Sequence, residues 1–273
     1  MNTSDSNLSA SNLAWAPEDE IIFLKALEAN NFKGLEIAPS KFIGPNPYTS
    51  RNIELATKKA KYISDNFGIL IVSMQSIWFN RDEQLFGSPK ERKRLLDYTK
   101  QAFEYAGALG CPHVVFGNPK NRQGDQMPRN RIALDFFLEV SKLAEEFKVT
   151  VGIEPIPEIY QNSFLTSFLE VKNFIESLDS HRVGLNYDIG SLLLNGEKSA
   201  ISKEYVDLAT HFHLSERNLV CVGEHIEHKK LSELLKKLNN QKWISIEMLE
   251  VDIQTFKKVL VYVSNTFDYT QKH

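Results

Sequence analysis

Three carboxylates and one imidazole occupy similar places in this sequence, each at or near the end of a short apolar run that is typical of a buried β-strand. They are Glu154, Asp188, His213 and Glu247. An isolated charge is very unfavourable in a protein interior, so such carboxylates must be protonated, paired with a cation or bound to a metal ion. No lysine or arginine is expected to point inward from these runs, which favours a divalent ion. The donor types suit Mn²⁺ or Mg²⁺, with Co²⁺ or Zn²⁺ as alternatives.

Eight strand-like segments alternate with amphipathic segments along the chain. The strands are predicted at 12–15, 34–39, 69–76, 113–118, 150–155, 183–188, 211–216 and 243–248. The intervening segments carry single apolar stripes and helix start signals, such as the capping box formed by Ser88 and Glu91. About eight strand–helix units in 273 residues favour a closed barrel over an open sheet. We therefore predict an α/β protein with a single (β/α)₈ TIM barrel at 8–270, preceded by a polar tail at 1–7.

Side-chain alternation along each strand predicts which residues share a face. If Val151 and Ile153 pack outward against helices, Glu154 points into the barrel at its C-terminal end. The same alternation turns further polar side chains inward: Glu36, Ser73, Gln75, Asn186, Asp188, His211, His213, Ser245 and Glu247. Active sites of this architecture lie at the C-terminal ends of the strands, so the four candidate ligands are expected to converge there.

Substrate contacts are expected around the ion. The candidates for hydrogen bonds to hydroxyl groups are Glu36, Gln75 and Asn118, and the candidates for an apolar wall are Trp15 and Trp78. Lys120 and Arg217 follow strands four and seven, where a cation can meet a phosphate or carboxylate of the substrate. Each assignment has an ordinary structural alternative: a strand-end carboxylate often caps a helix, and a loop cation is often only solvated. His113, His181 and His211 are interpreted as structural.

Composition narrows the class of partner. The net charge of −3 and the pI near 6.2 do not indicate binding to nucleic acid or to an anionic membrane. No apolar stretch reaches the roughly 20 residues that a membrane-spanning helix needs. Two distant cysteines without CxxC spacing suit a reducing cytoplasm. The expected partner is therefore a small-molecule sugar or sugar phosphate, and homo-oligomerisation is left open.

The order of the strand-end motifs resembles a known family. The motifs are SNLAW, GLEIAPSKF, VSMQSIWF, FGNPKNR, IEPIPEIYQNSF, NYDIGSLLLNGE, HFHLSE and ISIEM. Together they resemble the xylose-isomerase-like TIM barrels, in particular a sugar phosphate isomerase/epimerase subgroup. The resemblance covers nearly the whole chain, and it implies one metal ion held by Glu154, Asp188, His213 and Glu247.

Departures from other members of that family refine the expectation. Endonuclease IV resembles this scaffold but holds three zinc ions, with histidines at places that correspond here to Gln75, Asn118 and Ser191. A trinuclear site and a role in DNA repair are therefore not expected. Ketose 3-epimerases resemble this chain in their metal ligands. They differ in using a substrate-binding histidine where Ser191 stands here and a glutamate close to the position of Tyr160. Specificity for free ketohexoses is therefore not implied.

The chemistry expected from this site is proton removal from a carbon next to a carbonyl, through a metal-bound enediolate. Glu154 and Glu247 are the candidate bases that remove and return the proton, while Asp188 and His213 mainly hold the ion. The predicted activity is that of a metal-dependent sugar isomerase or epimerase. A dehydratase or lyase on the same centre is the alternative, followed by DNA repair and by a non-catalytic sugar binder.

Overall fold

Eight parallel strands close into one barrel in a computed structural model, which describes residues 7–267. Each strand pairs with the next along the chain, and the last pairs with the first. The strands are β1 (Leu8–Ser11), β2 (Gly34–Ile37), β3 (Leu70–Met74), β4 (His113–Phe116), β5 (Thr150–Ile153), β6 (Val183–Asp188), β7 (Ala209–Leu214) and β8 (Ile244–Ile246). The prediction of a single (β/α)₈ barrel is confirmed.

Ten helices of the described chain surround the barrel or lie in the loops at its ends. They are α1 (Glu20–Ala29), α2 (Pro39–Ile43), α3 (Ser50–Phe67), α4 (Pro89–Leu109), α5 (Arg129–Phe147), α6 (Phe168–Leu178), α7 (Ile189–Asn195), α8 (Lys203–Leu208), α9 (Ile226–Lys237) and α10 (Ile253–Phe267). Their apolar stripes pack against the outward side chains of the strands in one continuous core. The barrel interior, in contrast, is largely polar.

Local sequence signals explain where several helices begin and end. Ser88 accepts a hydrogen bond from the backbone N–H of Glu91, and the Glu91 carboxylate accepts one from the backbone N–H of Ser88, so the predicted capping box starts α4. Gly68 ends α3 in the left-handed conformation with φ of 63°. This conformation favours glycine because a side chain at Cβ would be strained there.

The prediction of the first strand at 12–15 is wrong. β1 lies at Leu8–Ser11, and Asn12–Ala14 form a short 3₁₀ turn. The inward positions of β1 are serines: Ser9 Oγ lies 2.5 Å from Ser245 Oγ, and Ser11 Oγ accepts a hydrogen bond from Gln75 Nε2 at 2.9 Å. Because half of this short strand is small and polar, it lacks the apolar run that identifies the other strands.

The predicted domain limits fall partly outside the described residues. Residues 1–6 of the predicted tail and residues 268–270 of the predicted barrel domain lie there. Between residues 7 and 267 all eight strands belong to one barrel. None of the helices in this part combines the length and the apolar character that crossing a membrane requires.

Candidate metal centre

Four side chains meet at the C-terminal end of the barrel. Glu154, Asp188, His213 and Glu247 each bring one ligand atom to within 4.8 Å of the others, and all four residues are buried. His213 Nδ1 lies 3.0 Å from Glu154 Oε1 and 3.1 Å from Glu247 Oε2. The Oδ2 atom of Asp188 is 3.9 Å from the same nitrogen. The imidazole nitrogen therefore faces a shell of three carboxylates.

Backbone hydrogen bonds between neighbouring strands place these four side chains at a similar height along the barrel axis. Asp188 pairs in register with His213 across β6 and β7. Glu154 and Glu247 each follow the last residue of their strands, yet their backbone N–H groups still donate to the strands before them, to Phe116 O at 3.1 Å and to Leu214 O at 2.9 Å. The backbone of both glutamates is thus held in the barrel wall.

Asp188 has two further roles besides facing the cluster. Its Oδ1 accepts a hydrogen bond from the backbone N–H of Ser191 at 2.6 Å, which caps the start of α7. The Ser215 hydroxyl donates to the same carboxylate, at 2.8 Å from Oδ2. Asp188 therefore does cap a helix, as the structural alternative predicted. The cap fixes the orientation of its carboxylate, and the carboxylate still belongs to the cluster of four ligands.

Beneath the four ligands lies a second buried layer. His213 Nε2 is 2.9 Å from Glu36 Oε2, and Gln75 Nε2 donates to Glu36 Oε1 at 2.9 Å. His211 Nε2 is 3.4 Å from Glu36 and 2.7 Å from the Ser245 hydroxyl. Burial raises the pKa of Glu36, but the neighbouring histidines outweigh this effect and hold the pKa well below its usual range. This layer supports His213 through hydrogen bonds.

The pKa values of the upper cluster are shifted by burial and by an excess of negative charge. Burial raises the pKa of Asp188 to about 7, and the charges of Glu154 and Glu247 add to the shift. The pKa of Glu247 is also raised, chiefly by burial. Burial lowers the pKa of His213, but carboxylates led by Glu36 and Glu247 outweigh it and raise the pKa well above its usual range. Three buried carboxylates sharing one imidazole fit a divalent cation, which would offset most of their negative charge.

Above the cluster opens a cavity of about 260 Å³. Of the predicted substrate contacts, Gln75 and Asn118 lie in its wall. Tyr160 and Asn218 close part of its rim, where the backbone N–H of Asn218 donates to the Tyr160 hydroxyl at 2.9 Å and joins the loops after β5 and β7. Glu36 does not reach this cavity, because it is fully buried under His213.

Neither tryptophan lines the cavity, which corrects the expectation of an apolar wall built from Trp15 and Trp78. Trp15 is 2% exposed and packs against Phe23 and Phe256, with ring centroids 5.2 and 5.6 Å away. Trp78 is 1% exposed, and its Nε1 donates to Thr99 Oγ1 at 2.9 Å. Both indoles therefore stabilise the packing of helices against the barrel.

The two predicted substrate cations are not among the residues that line the cavity. Lys120 pairs with Asp82 at 2.5 Å in an exposed loop. Arg217 stands on an exposed 3₁₀ segment between the lining residues Glu216 and Asn218. In this structure both positions match the alternative of solvated loop charges.

Sequence reasoning did not find the contacts that Gly117, Asn186 and Arg122 make in the site. A Cβ atom on Gly117 would lie 2.3 Å from Glu154 Oε2, so the absence of a side chain gives that carboxylate its room. Asn186 Nδ2 donates to Glu154 Oε1 at 2.9 Å. Arg122 is fully buried and donates to the backbone carbonyls of Phe116 and Glu154 at 2.7 and 2.9 Å. Inward alternation along β6 pointed to Asn186, but no local signal pointed to the other two.

Comparisons with known proteins agree with this architecture. The 3-keto-D-glucoside 4-epimerase YcjR from E. coli is similar in fold, with a TM-score of 0.75 at 17% identity over 96% of this chain and 100% of that one. D-psicose 3-epimerase from Clostridium cellulolyticum H10 gives 0.78 at 15% identity, over 97% and 99% of the two chains. An AP endonuclease, family 2, from Brucella melitensis gives 0.73 at 15% identity, over 95% and 99%.

Sequence comparison gives the family directly. No curated protein sequence matches the chain significantly. The family model described as xylose isomerase-like TIM barrel, however, matches residues 24–259, which is most of the chain. The protein therefore belongs to the xylose isomerase-like TIM barrel family.

Proposed function

We propose that this protein is a divalent-metal-dependent sugar isomerase or epimerase that removes a proton from a carbon next to a carbonyl group. The observation that carries the proposal is the convergence of Glu154, Asp188, His213 and Glu247 within 4.8 Å at the floor of a cavity. The similarity in fold to a 3-keto-D-glucoside 4-epimerase and a D-psicose 3-epimerase supports the same class of reaction.

The four ligands would hold one ion, with Mn²⁺ or Mg²⁺ as the preferred metals and Co²⁺ or Zn²⁺ as alternatives. Such an ion would polarise the carbonyl oxygen of the substrate and stabilise the negative charge that develops when the neighbouring C–H bond is broken. Asp188 and His213 serve mainly as ligands, because serine donors hold Asp188 and Glu36 holds His213.

Glu154 and Glu247 are the proposed acid–base pair. One oxygen of each faces His213 Nδ1, at 3.0 and 3.1 Å. The other oxygen of each carboxylate remains for the substrate, and on Glu154 this atom lies beside Gly117, in the wall of the cavity. The two residues directly follow β5 and β8, so they would approach a bound sugar from different sides of the barrel mouth. One carboxylate would take the proton and the other would return it. Gln75 and Asn118 are proposed to bind substrate hydroxyls.

Metal binding provides the first test. Elemental analysis after loading with Mn²⁺ and desalting should give about one ion per chain. Removal of the ion by a chelator should lower the melting temperature, because a ligand that binds only the folded state stabilises it by mass action. Two or three ions per chain would instead favour a nuclease-like centre. No bound ion under any loading condition would contradict the proposal.

Isotope exchange tests the chemistry itself. The metal-loaded protein should introduce deuterium from D₂O into a carbon-bound position of a sugar, observed by NMR across a panel of sugars. Glu154→Gln and Glu247→Gln should each nearly abolish turnover, and the ion content of each variant must be measured because both residues are ligands. Glu204→Gln, an exposed glutamate on α8, is the matched control. A metal-loaded Glu247→Gln protein with normal turnover would exclude the two-carboxylate mechanism, and net loss of water from the sugar would assign a dehydratase.

A further inference from the structure

Asn186 is a buried amide beside the candidate metal ligands, and its two ends have different surroundings. It lies on β6, two residues before Asp188, and is fully shielded from solvent. Its Nδ2 atom is 2.9 Å from Glu154 Oε1 and 3.1 Å from His213 Nδ1. Its Oδ1 atom is also buried and has no hydrogen-bond partner within residues 7–267. A buried oxygen without a donor is uncommon in folded proteins and requires an explanation.

The amide nitrogen stands at the spacing of a metal ligand. Asn186 Nδ2, Glu154 Oε1 and His213 Nδ1 form a triangle with sides of 2.9, 3.0 and 3.1 Å. Neighbouring ligands of an octahedral ion with bonds of about 2.1 Å stand about 3.0 Å apart, because this edge is about 1.4 times the bond length. Hydrogen bonds give similar distances, so the chemical type of each atom decides which of them could bind an ion.

An ion on these atoms would reverse which end of the amide is favourable. The NH₂ group is a donor with positive partial charge, so it suits a carboxylate but is repelled by a cation. The amide oxygen, in contrast, is a neutral ligand of the kind that hard divalent ions accept. Half a turn about the Cβ–Cγ bond exchanges the two ends and keeps the shape of the side chain. This turn breaks only the contacts of Nδ2, because Oδ1 has none.

We infer that Asn186 is a fifth protein ligand of the divalent ion, which it binds through Oδ1 after its amide turns. In the ion-free protein its NH₂ group occupies the ligand place and contacts Glu154 and His213. The inference rests on the metal centre of the proposed function and adds a neutral ligand to the four charged or imidazole ligands. If each residue supplies one atom, five protein ligands leave one place of an octahedral shell for a substrate oxygen.

Cobalt provides the test, because the visible absorption of Co²⁺ becomes stronger as the number of its ligands falls. Asn186→Leu keeps a branched side chain of similar shape but removes the amide. Its affinity for Co²⁺ and Mn²⁺, measured by calorimetry, should fall by at least about tenfold. The visible absorption of the Co²⁺-loaded variant should be stronger than that of the wild type. Asn173→Leu, at an exposed position on α6, is the matched control and should change neither quantity.

Asn186→Ala separates ligation from simple support of Glu154. The short side chain leaves a space in which a water oxygen can bind the ion. The absorption of this Co²⁺-loaded variant should therefore stay close to that of the wild type, and its affinity should lie between those of the wild type and Asn186→Leu. An asparagine that acts only by donating to Glu154 would give the same affinity and absorption in both variants. Circular dichroism verifies that each variant is folded.

A crystal structure of the wild type with Mn²⁺ tests the ligand directly and does not depend on the folding of a variant. Oδ1 of Asn186 should lie at bonding distance from the ion. An ion without contact to Asn186, or unchanged cobalt absorption in Asn186→Leu, would overturn the inference and leave the four-ligand centre and the proposed function in place. If the wild type binds no divalent ion, the proposed function fails and the inference fails with it.

Discussion

The Nε2 atom of His213 lies 2.9 Å from Oε2 of Glu36, and neither side chain has meaningful exposure to solvent. This contact orients the imidazole so that its Nδ1 atom faces Glu154, Asp188 and Glu247. A carboxylate that accepts the second N–H of a ligand histidine fixes the tautomer and makes the other nitrogen a better donor to a metal. Glu36 is therefore a positioning residue for the candidate metal centre.

Glu36→Gln should weaken the affinity for Mn²⁺ by about 10- to 100-fold, which is the typical cost of changing such a supporting residue. The amide keeps the shape of the side chain but removes the charge that polarises His213. Calorimetric titration of ion-free protein measures the effect. Glu204→Gln, an exposed substitution in the Lys172–Glu204 pair, should leave the affinity unchanged. If Glu36→Gln binds the ion within about twofold of the wild type, the assigned role is wrong.

Gly117→Ala tests whether the space beside Glu154 is needed. The added Cβ would come within 2.3 Å of Glu154 Oε2, so the carboxylate must move. A displacement of about 1 Å costs on the order of 100-fold in rate, so we expect turnover to fall by that amount in a protein that remains folded. Circular dichroism verifies the fold.

Gly107→Ala is the control for that substitution. It lies on α4, where an added Cβ would meet only the backbone oxygen of Phe147 at 3.9 Å. Turnover and metal affinity should be unchanged in this variant. Equal losses in both alanine variants would show that the effect arises from the backbone and not from Glu154.

The ion-free protein should lose stability as the pH rises from about 4 to about 7. The pKa of Asp188 is raised from 3.8 to about 7, so in this window the folded protein keeps a proton that the unfolded chain has released. Below the window both states are protonated and above it both are ionised, so the contribution is constant outside it. Urea unfolding at a series of pH values measures the slope, and Asp188→Asn should reduce it.

Metal binding should have the opposite dependence on pH. The ion requires ionised carboxylates and a neutral His213, and in the ion-free protein the pKa values of Asp188 and His213 are both raised, so the affinity for Mn²⁺ should increase as the pH rises through about 7. Calorimetry in buffers of different ionisation enthalpy should detect proton release on binding near pH 6. An affinity that is independent of pH between 5 and 7 would contradict the raised pKa of Asp188.

Arg122→Met should destabilise the fold by about 2–4 kcal/mol, since it removes charged hydrogen bonds to buried carbonyls while keeping the apolar volume. The guanidinium joins the end of β4 to the end of β5 through Phe116 O and Glu154 O. Burial lowers its pKa only to about 10, so it is charged at neutral pH. Chemical unfolding measures the change. Arg131→Met, an exposed residue paired with Asp135, should change stability by less than about 0.5 kcal/mol.

Much of the candidate site could be predicted from the sequence because strand alternation is a local property. Val151 and Ile153 had to face the helices, which turned Glu154 inward, and the same reasoning turned Asp188, His213 and Glu247 toward one another. The strand–helix order gave the closed barrel for a similar reason, since each unit buries its apolar face only against its neighbours. β1 escaped prediction because Ser9 and Ser11 replace the apolar residues that identify a strand.

Only the tertiary structure decided how far each side chain lies from the mouth of the barrel and which side chains it contacts there. Glu36 points inward as alternation required, yet the stagger of the strands sets it below His213 and out of reach of a substrate. Arg122 and Trp78 follow strand ends in the sequence, but loop paths turn both into the interior. Such positions depend on strand stagger and on packing between distant segments, which no local pattern records.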